Sequence, residues 1–177
     1  MKIVSLLPSS TEIVCRLGFR EQLVGISHEC DYPVSVKGLP ILTKPRFSPL
    51  GSSQHIDKSV QNLLKSGVSV YEVNTDLLTD LAPDLIITQA QCEACAVSLN
   101  DVKEAVSDWV GNKPDIISLE PNYLEEVWSD FERVGKALNN LESYFNLKSE
   151  IEQRLATLKE NSQKLGKKAY SIMRRVD

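Results

Sequence analysis

Asp84-Leu85-Ile86-Ile87-Thr88 is an unbroken apolar run, set between Pro83 and the polar loop Gln89-Ala90-Gln91-Cys92-Glu93-Ala94-Cys95. A run this short and this apolar is the pattern of a strand buried on both faces, as occurs where helices cover a parallel sheet. Upstream, Asn74 caps a short helix carrying Leu77, Leu78 and Leu81 that must end before Pro83. Downstream, Ser98 with Asp101 caps the next helix (Val102, Ala105, Val106, Trp109), and Asp115-Ile116-Ile117-Ser118-Leu119 is another strand.

The same alternation extends to both ends. Residues 2 to 7 form a strand; Pro8 stops it, and Ser9 with Glu12 gives the S-x-x-E capping box of a helix ending at Gly18. Leu23-Val24-Gly25-Ile26 is a short strand that delivers the chain to Ser27-His28-Glu29-Cys30-Asp31-Tyr32-Pro33. Residues 33 to 53 are punctuated by prolines and read as a surface segment, followed by a helix over about 55–65 and a strand over 68–73. Asn122 with Glu125 caps a helix carrying Val127, Trp128, Phe131 and Val134. The expected architecture is α/β, a Rossmann-like parallel sheet with helices on both faces. Leu141, Tyr144, Phe145, Ile151, Leu155, Leu158 and Leu165 then mark one stripe of a single helix over 141–166, roughly 39 Å long at 1.5 Å per residue. That helix is too long for the lobe before it, so its stripe needs a second lobe or a partner chain. Residues 1–140 therefore read as one lobe and 141–166 as a long helix, after which Ala169-Tyr170-Ser171-Ile172-Met173 reads as the beginning of another strand.

Composition narrows the function. The 177 residues carry a net charge of −4 with acids and bases interspersed, which lacks the basic stripe of a nucleic-acid binder. No apolar run approaches the roughly 20 residues a membrane helix needs. The opening residues show no charged, apolar and cleavage-site sequence of a leader, so the chain as written is expected in the cytoplasm; a chain trimmed of its leader, periplasmic or extracellular, would read the same. There is no G-x-S-x-G and no Gly-rich phosphate loop, and only two histidines are present, so a ligand binder is expected rather than an enzyme.

Chemistry concentrates in two loops that leave strands at their carboxyl ends and so share one edge of a parallel sheet. The first holds His28, Glu29 and Cys30; the second holds Gln89, Gln91, Cys92 and Cys95. His28 offers a neutral ring nitrogen to a metal or a hydrogen bond to a carbonyl. His28, Cys30, Cys92 and Cys95 would together make a Cys₃His zinc tetrahedron, or Cys92 and Cys95 a redox pair, if the loops approach. Pro8-Ser9-Ser10-Thr11 presents hydroxyls and free N–H groups at a helix start, suited to polar groups of a ligand. Arg46 is a partner for an acid of the site or a ligand phosphate. Glu120 sits past a strand end, and Tyr32 and Tyr123 suit a flat apolar ligand.

Taken together and in order, Ile3-Val4-Ser5-Leu6-Leu7-Pro8-Ser9-Ser10-Thr11-Glu12, Val24-Gly25-Ile26-Ser27-His28-Glu29-Cys30-Asp31-Tyr32-Pro33, Leu81-Ala82-Pro83-Asp84-Leu85-Ile86-Ile87-Thr88 and Gln91-Cys92-Glu93-Ala94-Cys95-Ala96-Val97-Ser98 resemble a known family. It is the cobalamin-binding branch of the helical-backbone (class III) substrate-binding proteins of ABC importers. The resemblance implies two α/β lobes joined by one long helix, with 141–166 as that backbone helix and 167–177 as the start of a second lobe that is largely missing, a cobalamin or other corrinoid held reversibly in the cleft between the lobes, and an ABC permease as partner. It further implies that Asp76 is the permease-docking carboxylate of this lobe. Where the family places an aromatic before Asp-Tyr-Pro, this chain has His28, Glu29 and Cys30, which donate electron pairs instead of stacking. The expected alternatives are a cytoplasmic zinc- or redox-active protein on the same scaffold, and a homodimer formed through the exposed helix stripe.

Overall fold

The computed structural model describes residues 1–90, 97–109 and 112–164. Four parallel strands, β1 (Ile3–Ser5), β2 (Leu23–Ile26), β5 (Leu85–Gln89) and β6 (Asp115–Leu119), form one sheet in the order β2-β1-β5-β6. Between β2 and β5 lie the two strands β3 (Thr43–Pro45) and β4 (Tyr71–Val73) of a small antiparallel ribbon. Among the described residues the α-helices are α1 (Pro8–Arg16), α2 (Ser53–Lys65), α3 (Thr75–Leu81), α4 (Leu99–Ala105), α5 (Leu124–Ala137) and α6 (Leu141–Lys164).

The sheet has helices on both faces because its strands are apolar on both. Successive residues of a strand point to opposite sides. Ile3, Leu85 and Ile87 join Ile13 and Val14 of α1, Leu17 just after it, Val134 of α5 and Leu147 of α6 in one core. Val4 and Ile86 join Leu78 of α3, Val102 of α4 and Val70 in the other. Gly25 of β2 is required by the second core: a Cβ there would lie 2.5 Å from Leu42 Cδ1 and 3.0 Å from Leu81 Cδ1.

Helix ends follow the chemistry of their orphan N–H groups. Ser98 and Asp101 form a reciprocal capping box, and Asn74 Oδ1 accepts from the Leu77 N–H at 3.0 Å. Two expected caps are displaced. Leu7, not Ser9, is the N-cap of α1, with Pro8 in its first turn, so Ser9 and Glu12 form no capping box. The helix of Val127 starts one residue later than expected, and Glu126, not Glu125, accepts from the Asn122 and Tyr123 N–H groups at 2.6 and 3.2 Å.

The expectation of parallel strands throughout is corrected in the middle of the chain. After β2, residues 40–42 run beside its end: the Ile26 N–H donates to the Pro40 carbonyl at 3.0 Å and the Leu42 N–H to the Ile26 carbonyl at 2.9 Å. That segment runs along β2 and leads into β3, and β4 pairs with β3 and not with the main sheet, Thr43 opposite Val73 and Pro45 opposite Tyr71.

Helix α6 matches the long helix expected, over 141–164, about 36 Å. Its first half is docked: Tyr144 and Leu147 are buried, and α5 comes so close that a Cβ on Gly135 would sit 3.1 Å from Tyr144 Cβ. Its second half leaves the lobe, with Leu155 and Leu158 46% and 64% exposed. An apolar groove of about 450 Å³ runs under it, lined by Ile13, Phe131, Leu147 and Ile151 among others. No described helix is long and apolar enough to cross a membrane. The strand expected at 168–173, and with it the start of a second lobe, lies outside the described residues.

Candidate functional site

The strand order sets the site. With β1 between β2 and β5, the loops that follow β2 and β5 leave the same edge roughly 10 Å apart, two strand spacings. Gln91, Cys92 and Cys95 of the second loop lie outside the described residues. The first, Ser27 to Pro33, is described throughout.

Its core is a buried hydroxyl network. Ser5 Oγ lies 2.6 Å from Ser10 Oγ and 2.7 Å from Thr11 Oγ1, and Thr11 Oγ1 lies 3.1 Å from Cys30 Sγ. Ser10 Oγ also donates to the Leu7 carbonyl at 2.9 Å. Ser5, Ser10 and Thr11 are completely buried. The network therefore ties the turn after β1 to the loop after β2, and the hydroxyls of Ser10 and Thr11 face inward, with Ser9 alone of that turn exposed. The Cys30 N–H donates to the Ser27 carbonyl at 3.1 Å, closing a turn that puts the thiol in the core beside Val36. Burial pushes that thiol above its ordinary pKa, against the hydrogen bond from Thr11.

His28 points elsewhere. Its Nδ1 is 2.7 Å from Thr43 Oγ1, and its backbone N–H donates to the same oxygen at 3.0 Å. Thr43 Oγ1 in turn donates to Ser27 Oγ at 3.0 Å. The imidazole lies tilted against Tyr71, with ring centroids 5.4 Å apart. The Tyr71 phenol is held above its usual range by burial and by the neighbouring Glu29 carboxylate, which also hydrogen-bonds it. His28 Nε2 makes no hydrogen bond with a described residue. Of the expected zinc set, His28 lies against Thr43 and Cys30 against Thr11, while Cys92 and Cys95 lie outside the described residues. Among the described residues no three His, Cys, Asp or Glu side chains gather around a metal position.

The edge continues through Gln89, buried at the end of β5, and Glu120, exposed past β6. Tyr32 and Tyr123 are 53% and 70% exposed. Arg46 follows β3 on the ribbon. It pairs with Glu72 at 3.4 Å, donates to the Tyr71 carbonyl at 3.3 Å, and lines an acidic groove of about 900 Å³ with Asp76, Asp84, Glu104 and Asp108. Asp76, in the first turn of α3, is exposed there. Thr43 and Tyr71, which hold His28, are the residues the sequence reading missed; both come from the ribbon.

Behind Glu120, Asp130 of α5 is 4% exposed, with Arg133 donating to its Oδ1 at 3.0 Å. Burial raises its carboxyl above the ordinary value of 3.8, while Arg133 and the Glu120 backbone N–H pull the other way. A carboxyl raised in the folded state stabilises the fold fully below its unfolded value, and that contribution is lost as pH rises through the folded value. The stability of the wild type relative to Asp130→Asn is therefore expected to grow as pH falls from 7 toward 4. Thermal melts of both proteins across that range check it, and a pH-independent difference would contradict it.

No family model matches the sequence, and no curated protein matches it. Solved structures do. The periplasmic vitamin B12 binding protein BtuF of Vibrio cholerae matches at TM-score 0.62 and 21% identity, over 92% of this chain and 51% of that one. The periplasmic heme-binding protein RhuT from Roseiflexus, in apo form, matches at TM-score 0.63 and 21% identity, over 92% and 50%. A possible iron-binding, periplasmic solute-binding protein from Staphylococcus epidermidis matches at TM-score 0.62 and 21% identity, over 88% and 49%. The chain has the fold of these proteins and spans about half the length of each.

Proposed function

We propose that this chain supplies one face of a solute-binding site for a metal-bearing tetrapyrrole, a corrinoid first and haem second, and serves an ABC importer. One observation carries the reading: a histidine on the carboxyl edge of a parallel sheet is fixed through Nδ1 while its Nε2 has no partner among the described residues. Clustered polar groups at such an edge cost desolvation unless a ligand uses them. Glu29, Ser9, Glu120 and the rings of Tyr32 and Tyr123 are exposed, which supports a role for them at the rim of a broad flat ligand. The motif resemblance and the printed functions of the structures of like fold, vitamin B12, heme and iron binding, support the class. The exposed carboxylate of Asp76 is the proposed contact for a permease. The ligand is bound and released without bond making in its carbon skeleton, so no general base or nucleophile is asked of the site.

The test is an optical titration of the purified chain with hydroxocobalamin, cyanocobalamin and hemin. A saturable spectral change with hydroxocobalamin, whose axial water exchanges readily, and a weaker response with cyanocobalamin, would support a corrinoid held through the metal. A response to hemin alone would move the assignment to haem. Failure of all three to bind overturns the reading.

A further inference from the structure

We propose that Thr43 fixes the tautomer of His28, holding the proton on Nδ1 so that the lone pair resides on Nε2, the nitrogen that faces the ligand metal. The role at the metal rests on the tetrapyrrole reading above; the tautomer itself does not.

The argument is an accounting of one hydroxyl. A threonine oxygen has one proton to give and two lone pairs to offer. Thr43 Oγ1 has three neighbours: the His28 backbone N–H at 3.0 Å, His28 Nδ1 at 2.7 Å and Ser27 Oγ at 3.0 Å. The backbone N–H can only donate, so it occupies one lone pair. Thr43 gives its proton to Ser27 Oγ, whose remaining acceptor capacity meets the Glu29 N–H at 3.3 Å. What is left on Thr43 is one lone pair, and Nδ1 must donate to it. A neutral imidazole protonated on Nδ1 carries its lone pair on Nε2. This is the arrangement by which an outer hydrogen bond fixes and strengthens a metal-directed imidazole.

The surroundings make the arrangement rigid. Thr43 is 5% exposed and Ser27 4% exposed, so water does not compete for these bonds. Thr43 opens β3, pinned opposite Val73, and its position therefore depends on the ribbon and not on the loop that bears His28. Tyr71, two residues before Val73 on β4, packs against the same imidazole from another side. The ribbon thus acts as a jig for one ring.

The experiment reads the tautomer directly in the ligand-free protein. Long-range ¹⁵N–¹H correlation of the two histidines, with His55→Gln to assign them, is expected to give a protonated, pyrrole-type Nδ1 and an unprotonated, pyridine-type Nε2 for His28 at neutral pH. Thr43→Ser should keep that pattern. Thr43→Val, close in volume but unable to accept, should move the His28 proton wholly or partly to Nε2. The same variants are then titrated with hydroxocobalamin and hemin: Thr43→Val is expected to bind roughly tenfold to a hundredfold more weakly and Thr43→Ser within a few-fold of wild type. A wild-type His28 protonated on Nε2, or a Thr43→Val protein with an unchanged His28 pattern, overturns the proposal. The expected nitrogen pattern in a protein that binds neither tetrapyrrole would leave the tautomer assignment standing and remove the tetrapyrrole reading.

Discussion

Replacing His28 by alanine is expected to weaken hydroxocobalamin binding about a hundredfold and to abolish the spectral change that accompanies it. Removing an outer partner of a metal-bound imidazole already costs tenfold to a hundredfold, so removing the imidazole belongs at the upper end or beyond. Each tenfold corresponds to about 1.4 kcal/mol, which makes the loss roughly 3 kcal/mol. The fold should tolerate the change. His28 is only half buried, and the turn that shapes its loop is a backbone bond between Cys30 and Ser27. Titration of His28→Ala beside His55→Ala, whose ring is exposed on α2, separates loss of the site from loss of a histidine. Equal affinity in wild type and His28→Ala would remove metal coordination from the account and leave stacking and hydrogen bonding at the rim.

Ile86→Ala is expected to be the most damaging truncation in the core, at roughly 2 to 5 kcal/mol. Ile86 is completely buried on β5, paired with Val4 on one side and Ile116 on the other, and packs with the side chains of α3 and α4. The strands on either side hold the backbone at Ile86 in place, so the space vacated is filled only in part. For a chain of this size the thermal midpoint should fall by roughly 10 °C. Leu158→Ala is the internal control: its side chain is 64% exposed on the far half of α6, and its removal should shift stability by less than about 0.5 kcal/mol. Comparable losses in the two variants would mean that the far half of α6 is covered in solution.

The elements legible in the sequence were those whose cause is local. The apolar run at 85–87, the Ser98 and Asp101 box and the stripe of α6 each carry their reason within a few residues. The ribbon was not legible, because β3 and β4 have three residues each and exist through pairing across a gap of 26 to 30 positions, Pro45 with Tyr71 and Thr43 with Val73. For that reason Thr43, which holds His28, carried no motif. Cys30 was read as a loop donor because charged Glu29 and Asp31 flank it, yet a single backbone turn rotates it into the core. The inward fate of Ser10 and Thr11 was available. Helical spacing sets both on the face of Val14, three and four residues on, which is a buried apolar position of α1. The S-x-x-E pattern drew attention to capping instead.

The pairing of β1 with β5 has a consequence for how the chain is made. Ile3 meets Leu85, Val4 meets Ile86 and Ser5 meets Ile87, each across 82 positions, whereas β2 reaches β1 across about 20. During synthesis from the amino terminus, at roughly 5 to 20 residues per second, β1 would wait about 4 to 16 seconds for its second neighbour. For that interval a two-stranded β1-β2 unit, with α1 covering one face, has an open apolar edge on the ribosome. Completion of the sheet depends on the later arrival of β5, through which β6 is also joined to β1 and β2.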